Sequence, residues 1–290
     1  MVDLHTHVLW GVDDGAQNLD MTMKMLWQYA EAGYTDIIIT PHHDPSRYEV
    51  PVDVVKEGVS RLTALAREMN LSFNFYPGHE IQLQAQTPQM LKRGELLSLN
   101  NSRYVMIELP FLTKPYYAKE ILYRIQLLGY IPIISHPERY RYAQQDPPSF
   151  AALVGAGCLL QLNLSSLNAT AKEQEALNYF LRNGLYHVVA TDAHNTEMRS
   201  PNQKEALYKL SQLVDATEYE KLTETNPRRV LLDQMIPDAL QPADDETQGR
   251  GFFPGASAPS DDRSRKEGRN PLRGLFRIKF KKRKQEPFDR

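Results

Sequence analysis

The chain has 290 residues, 41% hydrophobic and 24% charged, enough apolar material for the core of one large α/β domain. Its single cysteine, Cys158, excludes a disulfide framework, thiolate zinc sites and a dithiol redox pair. The formal net charge is −2, unevenly placed along the chain, and no nucleic-acid partner is expected. The opening Met-Val-Asp-Leu-His lacks the basic and apolar regions of a signal peptide, and no run of about 18 apolar residues occurs. The catalytic part is therefore expected in the cytoplasm.

In chain order, Val2-Asp3-Leu4 reads as a short strand that delivers His5 and His7, one residue apart and hence on one side of an extended chain. Gly11-Val12-Asp13-Asp14-Gly15 is a loop with two carboxylates. Leu19 to Ala32 has helical spacing and a stop at Gly33. The β-branched run Asp36 to Thr40 predicts a strand buried on both sides, ending in Pro41-His42-His43. Residues 53–69 form a helix, and Leu71 to Tyr76 a strand that runs into Pro77-Gly78-His79-Glu80. A stretch without a clear pattern precedes the strand Tyr104 to Glu108, which ends on its carboxylate. A helix from Tyr116 to Leu128, stopped by Gly129, leads to the strand Ile131 to Ser135 and then His136-Pro137-Glu138-Arg139. Phe150 to Ala156 is a short helix, Leu159 to Asn163 a strand, and 171–183 a helix stopped by Gly184. The last strand, Tyr186 to Thr191, runs into Asp192-Ala193-His194. Cys158, inside the apolar Gly157-Cys158-Leu159-Leu160, reads as a small buried side chain.

Seven strands alternating mostly with helices predict a parallel α/β sheet or barrel. His5, His42, Glu80, Glu108, His136 and Asp192 each fall at or just beyond the end of a different strand. A barrel gathers such ends on one rim, whereas an open sheet spreads them along an edge, so the pattern favours a TIM-like barrel. The candidate ligand set is His5, His7, Asp14, His42, Glu80, Glu108, His136, Asp192 and His194. Five imidazoles and four carboxylates are too many for one tetrahedral zinc and suit two or three ions. Nitrogen and oxygen donors without sulfur point to Mn²⁺, Fe or Zn²⁺. Such clusters make hydroxide from water and clamp phosphoryl oxygens, and Arg139 and Arg199 stand on the same rim as candidate phosphate contacts.

The ordered motifs carry a resemblance. Asp3-Leu4-His5-Thr6-His7, Val12-Asp13-Asp14-Gly15, Pro41-His42, Gly78-His79-Glu80, Ser102-Arg103-Tyr104 through Glu108, His136-Pro137-Glu138-Arg139-Tyr140, Thr191-Asp192-Ala193-His194-Asn195 and Asn226-Pro227 together resemble the polymerase-and-histidinol-phosphatase (PHP) superfamily. More closely, they resemble the bacterial tyrosine phosphatases of capsule and exopolysaccharide loci, the CpsB/YwqE type. The resemblance covers about residues 1–237. It implies a distorted (β/α)7 barrel and a trinuclear, usually manganese-dependent site. One ion would take His5, His7, Glu80 and Asp192, a second Glu80, Glu108 and His136, and a third Asp14, His42 and His194, while Asp13, His43 and His79 are not ligands. It also implies that Arg139, Arg199, His136 and Asp192 act in catalysis, and that the substrate is phosphotyrosine on a partner tyrosine kinase. Tyr140 and Tyr142, beside Arg139, are candidates to stack on the phenyl ring. The competing readings are a small-molecule phosphatase of the histidinol-phosphate kind, a PHP nuclease, and a metal-stabilised binding module without turnover. No Cys-x5-Arg signature surrounds Cys158, which excludes thiol-based dephosphorylation.

Residues 238–290 differ in composition. They hold 13 Lys/Arg and 9 Asp/Glu, a balance of +4, against 21 and 27, or −6, in residues 1–237. A boundary is expected near Pro237, followed by a disordered, Pro- and Ser-containing stretch. Leu272 to Lys284 sets seven basic residues among Leu275, Phe276, Ile278 and Phe280, a pattern suited to a charged solvated terminus or to an anionic membrane surface.

Overall fold

The computed structural model describes residues 1–237, so the expectations for the tail lie outside the described residues. Its strands are β1 (Val2–Asp3), β2 (Asp36–Ile39), β3 (His42–Asp44), β4 (Tyr48–Glu49), β5 (Asn74–Pro77), β6 (Glu80–Gln82), β7 (Tyr104–Glu108), β8 (Ile131–Ile134), β9 (Leu159–Asn163) and β10 (Val188–Ala190). The principal helices are α1 (Leu19–Ala32), α2 (Val52–Glu68), α3 (Thr87–Arg93), α4 (Ala118–Leu127), α5 (Arg141–Gln145), α6 (Ala151–Gly155), α7 (Ala171–Arg182), α8 (Lys204–Leu213), α9 (Ala216–Glu220) and α10 (Asn226–Leu231).

Parallel pairing runs β1–β2–β5 in one sheet and β3–β6–β7–β8–β9–β10 in the other, with β4 added antiparallel to β3. β2 continues into β3 across Thr40 and Pro41, and β5 into β6 across Gly78 and His79, so the two sheets share two bent strands. The first and last strands meet as well. Thr6 and Ala193 form a parallel bridge, His7 N donates to Ala193 O at 2.9 Å, and Asp192 N donates to His5 O at 2.9 Å. The hydrogen-bonded ring therefore returns to its start, as a distorted barrel requires.

Side-chain alternation sorts the core into layers. Ile38, Tyr104, Met106, Ile133, Leu159, Val188 and Ala190 pack together with Leu4, while Val230, Leu231 and Ile236 close the same cluster from the C-terminal segment. Their neighbours Val105, Ile107, Ile134, Leu160, Leu162 and Val189 join the cluster formed with α4 and α7. Ile37 and Ile39 pack with α1 and α2. Continuing the first set one step along β7 puts Glu108 inward above Met106. Local signals set the helix ends: Asn18 caps α1 by accepting from Met21 N at 3.0 Å, and Gly33 stops it at φ 84°.

The seven predicted strands are present with shifted ends. The strand expected from Leu71 starts only at Asn74, because the Leu71 N–H caps the end of α2, donating to Ala66 O at 2.8 Å after Asn70 turns left-handed at φ 56°. The β3–β4 hairpin and α3, α5, α8, α9 and α10 carry no expectation from sequence periodicity. Cys158 is buried, and that burial pushes its thiol up to about 12. Tyr140 and Tyr142 are buried too. Tyr140 donates to Ser135 O and accepts from Leu109 N, so this ring is part of the core and does not stack on a substrate. Among the described residues no helix is long and apolar enough to cross a membrane.

One core group makes stability depend on pH. His79, buried between β5 and β6, accepts from Leu97 N at 3.1 Å through Nδ1. Burial, and then the neighbouring His43, lowers its pKa to about 3. An unfolded histidine titrates near 6.5. The unfolded chain therefore takes up this proton first, and the stability from a neutral His79 is full above about pH 6.5 and lost progressively toward pH 3. His79→Asn, whose side-chain oxygen replaces the Nδ1 acceptor, is expected to flatten the fall of melting temperature between pH 7 and pH 5; an unchanged slope contradicts this.

Candidate metal centre

The nine predicted donors meet at the C-terminal end of the barrel strands. His42 opens β3, Glu80 opens β6 and Glu108 ends β7. His136 follows β8, while Asp192 and His194 follow β10. Backbone turns aim two of them: His136 has φ 32° and Asp192 φ 50°, strained values for side chains of this size. Gly15 has a steric reason of its own. A Cβ there would stand 2.1 Å from His7 O, so only glycine lets the Asp13–Asp14 loop lie against the His7 backbone.

Three groups of donor atoms lie within 4.8 Å of one another: His5, His7, Glu80 and Asp192; His7, Asp14, His42 and His194; and His42, Glu80 and Glu108. His136 joins the last group through Nε2, 2.9 Å from Glu80 Oε1 and 3.6 Å from Glu108 Oε1. The structure thus adds His42 beside Glu80 and Glu108, where the resemblance put His136 alone. Glu80 Oε2 is the common point, 3.1 Å from His42 Nδ1, 3.2 Å from His5 Nε2 and 3.4 Å from His7 Nε2.

The surrounding residues decide which ring nitrogen faces inward. His7 Nδ1 pairs with Asp13 Oδ2 at 2.7 Å, His5 Nδ1 with Gln161 Oε1 at 3.1 Å, and His194 Nδ1 with Asp192 O at 2.9 Å. Each pairing leaves Nε2 for the cluster, the arrangement by which metal-binding proteins orient imidazoles. Asp13 also accepts from His42 N and Gly15 N, so it is a support, as its exclusion from the ligand set implies. The rings of His43 and His79 lie 5.7 Å apart, tilted by 50°, and neither belongs to the donor groups.

Charge and hydrogen bonding fit a cation. Glu80 Oε2, Glu108 Oε2, Asp192 Oδ1, His136 Nδ1 and His194 Nε2 are buried without hydrogen-bond partners. Burial, then repulsion from Glu80 and Asp192, drives the Glu108 carboxyl well above its usual range. Burial opposes ionisation of Glu80 too, but the charges of His5 and His42 bring it well below. Burial, then the charge on His7, pushes His194 down to about 4; burial, then Arg139, does the same to His136. Only His136, His194 and Glu80 are thereby held in the neutral-imidazole and ionised-carboxylate forms that metals take. His5 and His7, against the effect of burial, are raised by the carboxylates beside them and keep protons where a cation would supply the positive charge. Orphaned donors around a shared carboxylate oxygen are the physical mark of a place for positive charge.

Arg139 Nη1 and Arg199 Nη2 reach Asp192 Oδ2 at 2.9 and 2.5 Å, each side chain 27% exposed and so open to an anion from solvent. The Arg139 guanidinium lies 5.2 Å over the Phe111 ring, which stacks on His136 at 5.5 Å. β9 is the strand expected at Leu159 to Asn163, but none of its residues is among the site residues read from sequence. Its inward side chains are Gln161, on His5, and Asn163, whose Nδ2 donates to Asp192 Oδ2 at 2.8 Å. Two polar residues alternating with leucines in Leu159-Leu160-Gln161-Leu162-Asn163 were the available signal. Glu138, in the same motif as His136, is a buried brace that accepts from Tyr186 OH at 2.8 Å and Asn163 N at 3.0 Å.

Barrel and donor set together define a metal-dependent hydrolase site at the strand ends. The chain belongs to the CpsB/CapC family of capsular polysaccharide synthesis, whose model matches residues 1–232. It is 36% identical over 212 residues to the tyrosine-protein phosphatase YwqE of Bacillus subtilis, covering 72% of this chain and 84% of that one. It is 28% identical over 243 residues to the tyrosine-protein phosphatase CpsB of Streptococcus pneumoniae, covering 81% and 100%. Solved structures of YwqE from Bacillus subtilis and CpsB from Streptococcus pneumoniae, described as metal-dependent tyrosine phosphatases, include one that superposes with a TM-score of 0.77 at 33% identity, over 81% of this chain and 96% of that one.

The support role of Asp13 is testable apart from turnover. Asp13→Asn is expected to weaken Mn²⁺ binding about 10- to 100-fold in calorimetric titration, with the circular dichroism spectrum retained. Unchanged affinity contradicts the role.

Proposed function

We propose that this chain is a metal-dependent protein-tyrosine phosphatase acting in capsule or exopolysaccharide synthesis, with phosphotyrosine on a partner tyrosine kinase as its substrate. The observation that carries the reading is the shared Glu80 Oε2 with three imidazole nitrogens around it, in a cluster whose Asp192 holds two arginines. His5, His7, Glu80 and Asp192 would hold one ion, Glu80, Glu108 and His136 a second, and Asp14, His42 and His194 a third. Support for two or three ions comes from overlapping donor groups that share His7, His42 and Glu80. Manganese is the metal we favour, with Fe and Zn²⁺ compatible with the same donors.

Bound ions of this kind supply a hydroxide nucleophile from water and polarise the phosphoryl group. The protein's own part is to hold and orient. Arg139 and Arg199 offer planar, permanently charged donors to the phosphoryl oxygens, and Asp192 Oδ2 keeps both guanidinium groups in place before substrate arrives. Asn163 holds that same carboxylate, so Asp192 cannot swing away with either arginine. Phenolate is a good leaving group compared with an alkoxide, so a dedicated strong acid is not required.

After chelation the enzyme is expected to lose phosphotyrosine-peptide hydrolysis and to regain it with Mn²⁺. His136→Ala should lower kcat at least about 100-fold. Faster cleavage of histidinol phosphate than of phosphotyrosine peptides sinks the substrate assignment, and full activity of the variant sinks the catalytic role.

The tail supports a location. We place the enzyme in the cytoplasm and peripheral to the inner membrane face through the basic segment Leu272 to Lys284, where a membrane kinase would be met. Flotation with vesicles containing anionic lipid is expected for the full chain and not for a chain lacking residues 271–290. Equal flotation of both overturns this placement.

A further inference from the structure

A groove beside the metal centre is unused by the chemistry above. It has a volume of about 480 Å³ and lies between the β3–β4 hairpin, the end of β6 and the loop after β7. Three of the segments that line it also reach the metal centre. The hairpin begins at His42, Gln82 pairs in register with Glu108, and Phe111 in the far wall is the ring that stacks on His136 and carries Arg139. A phosphate does not fill such a space, whereas one or two side chains of a polypeptide do.

The lip of the groove is an organised cation. Asp44 accepts from Ser46 N at 2.9 Å and Ser46 Oγ at 2.7 Å, which fixes the turn, and its other oxygen accepts from Arg47 Nε at 3.0 Å. Arg47 is nevertheless 57% exposed, so the rest of its guanidinium faces solvent over the groove. The bond to Asp44, with added attraction from Glu108 and Asp14, raises its pKa, which places it within the field of the metal centre. The loop after β7 lines the same groove with Phe111, Leu112 and Tyr117, and Leu112 is 75% exposed, a large apolar surface. A cation on one wall and apolar side chains on the other suit a polypeptide with an acidic residue near its phosphotyrosine.

We propose that this groove holds the substrate polypeptide beside the phosphotyrosine and that Arg47 selects an acidic side chain there. The inference deepens the phosphatase reading and rests on it. Arg47 is a specificity residue in this account, outside the metal and phosphate contacts.

The test compares phosphotyrosine peptides carrying glutamate or glutamine before or after the phosphotyrosine, with p-nitrophenyl phosphate as the substrate that leaves the groove empty. The wild-type enzyme is expected to prefer the glutamate peptide by about three- to fivefold in kcat/KM, through KM, as befits an exposed ion pair. Arg47→Ala should erase that preference, and Arg47→Glu should transfer it to a lysine peptide. Leu112→Ser should lower kcat/KM for both peptides more than for p-nitrophenyl phosphate. A wild-type enzyme indifferent to the flanking charge overturns the proposal. So does an Arg47→Ala variant that loses equal factors on both peptides and on p-nitrophenyl phosphate, since Arg47 would then belong to the phosphate contacts. Failure of the metal-loaded wild type to cleave any of these substrates defeats the phosphatase reading itself.

Discussion

Three carboxylates, of Glu80, Glu108 and Asp192, are withdrawn from water at one end of the barrel, and buried negative charge is costly unless something positive meets it. Much of the local structure answers that demand. His5, His7 and His42 surround Glu80 Oε2, while Arg139 and Arg199 meet Asp192 Oδ2. Yet Glu108 Oε2, Glu80 Oε2 and Asp192 Oδ1 still lack hydrogen-bond donors. The remaining demand is for cations, and the donors are placed to hold more than one.

Closure of the ring makes this possible. The bonds from His7 N to Ala193 O and from Asp192 N to His5 O bring residues nearly the whole domain apart into one cluster. Asp3 ties the same seam below it, accepting from Thr191 N at 3.0 Å, Thr191 Oγ1 at 2.6 Å and Tyr29 OH at 2.7 Å. Gln161 and Asn163 then orient ligands from the neighbouring strand. The donor cluster and the fold are joined at one seam, and the inward-facing nitrogens of His5 and His7 are set by Gln161 and Asp13, which lie outside the donor groups.

The donors that converge were legible because their chemistry is conspicuous in sequence. Histidines and acids at the ends of buried apolar strands have few structural uses, and Asp36-Ile37-Ile38-Ile39 or Tyr104-Val105-Met106-Ile107 announce such strands plainly. Supports were less visible. Gln161 and Asn163 are ordinary residues until β9 is seen to face them inward, and only the resemblance separated Asp13 from Asp14, whereas the structure gives the reason, one meeting His7 Nδ1 and the other His42 Nε2. Arg47 was missed for a similar reason. It sits in a short hairpin with no periodicity, and only the packing of that hairpin brings it over the groove. Tyr140 misled through its neighbour, since adjacency to Arg139 in sequence says nothing about which side of the turn a ring takes.

The central claim is that the nine donors hold a multinuclear metal centre. Anomalous diffraction from crystals grown with Mn²⁺, recorded on both sides of the manganese edge, tests it most directly. Two or three peaks are predicted among His5, His7, Asp14, His42, Glu80, Glu108, His136, Asp192 and His194, with Glu80 touching more than one. A single peak, or peaks away from Glu80, would contradict the account.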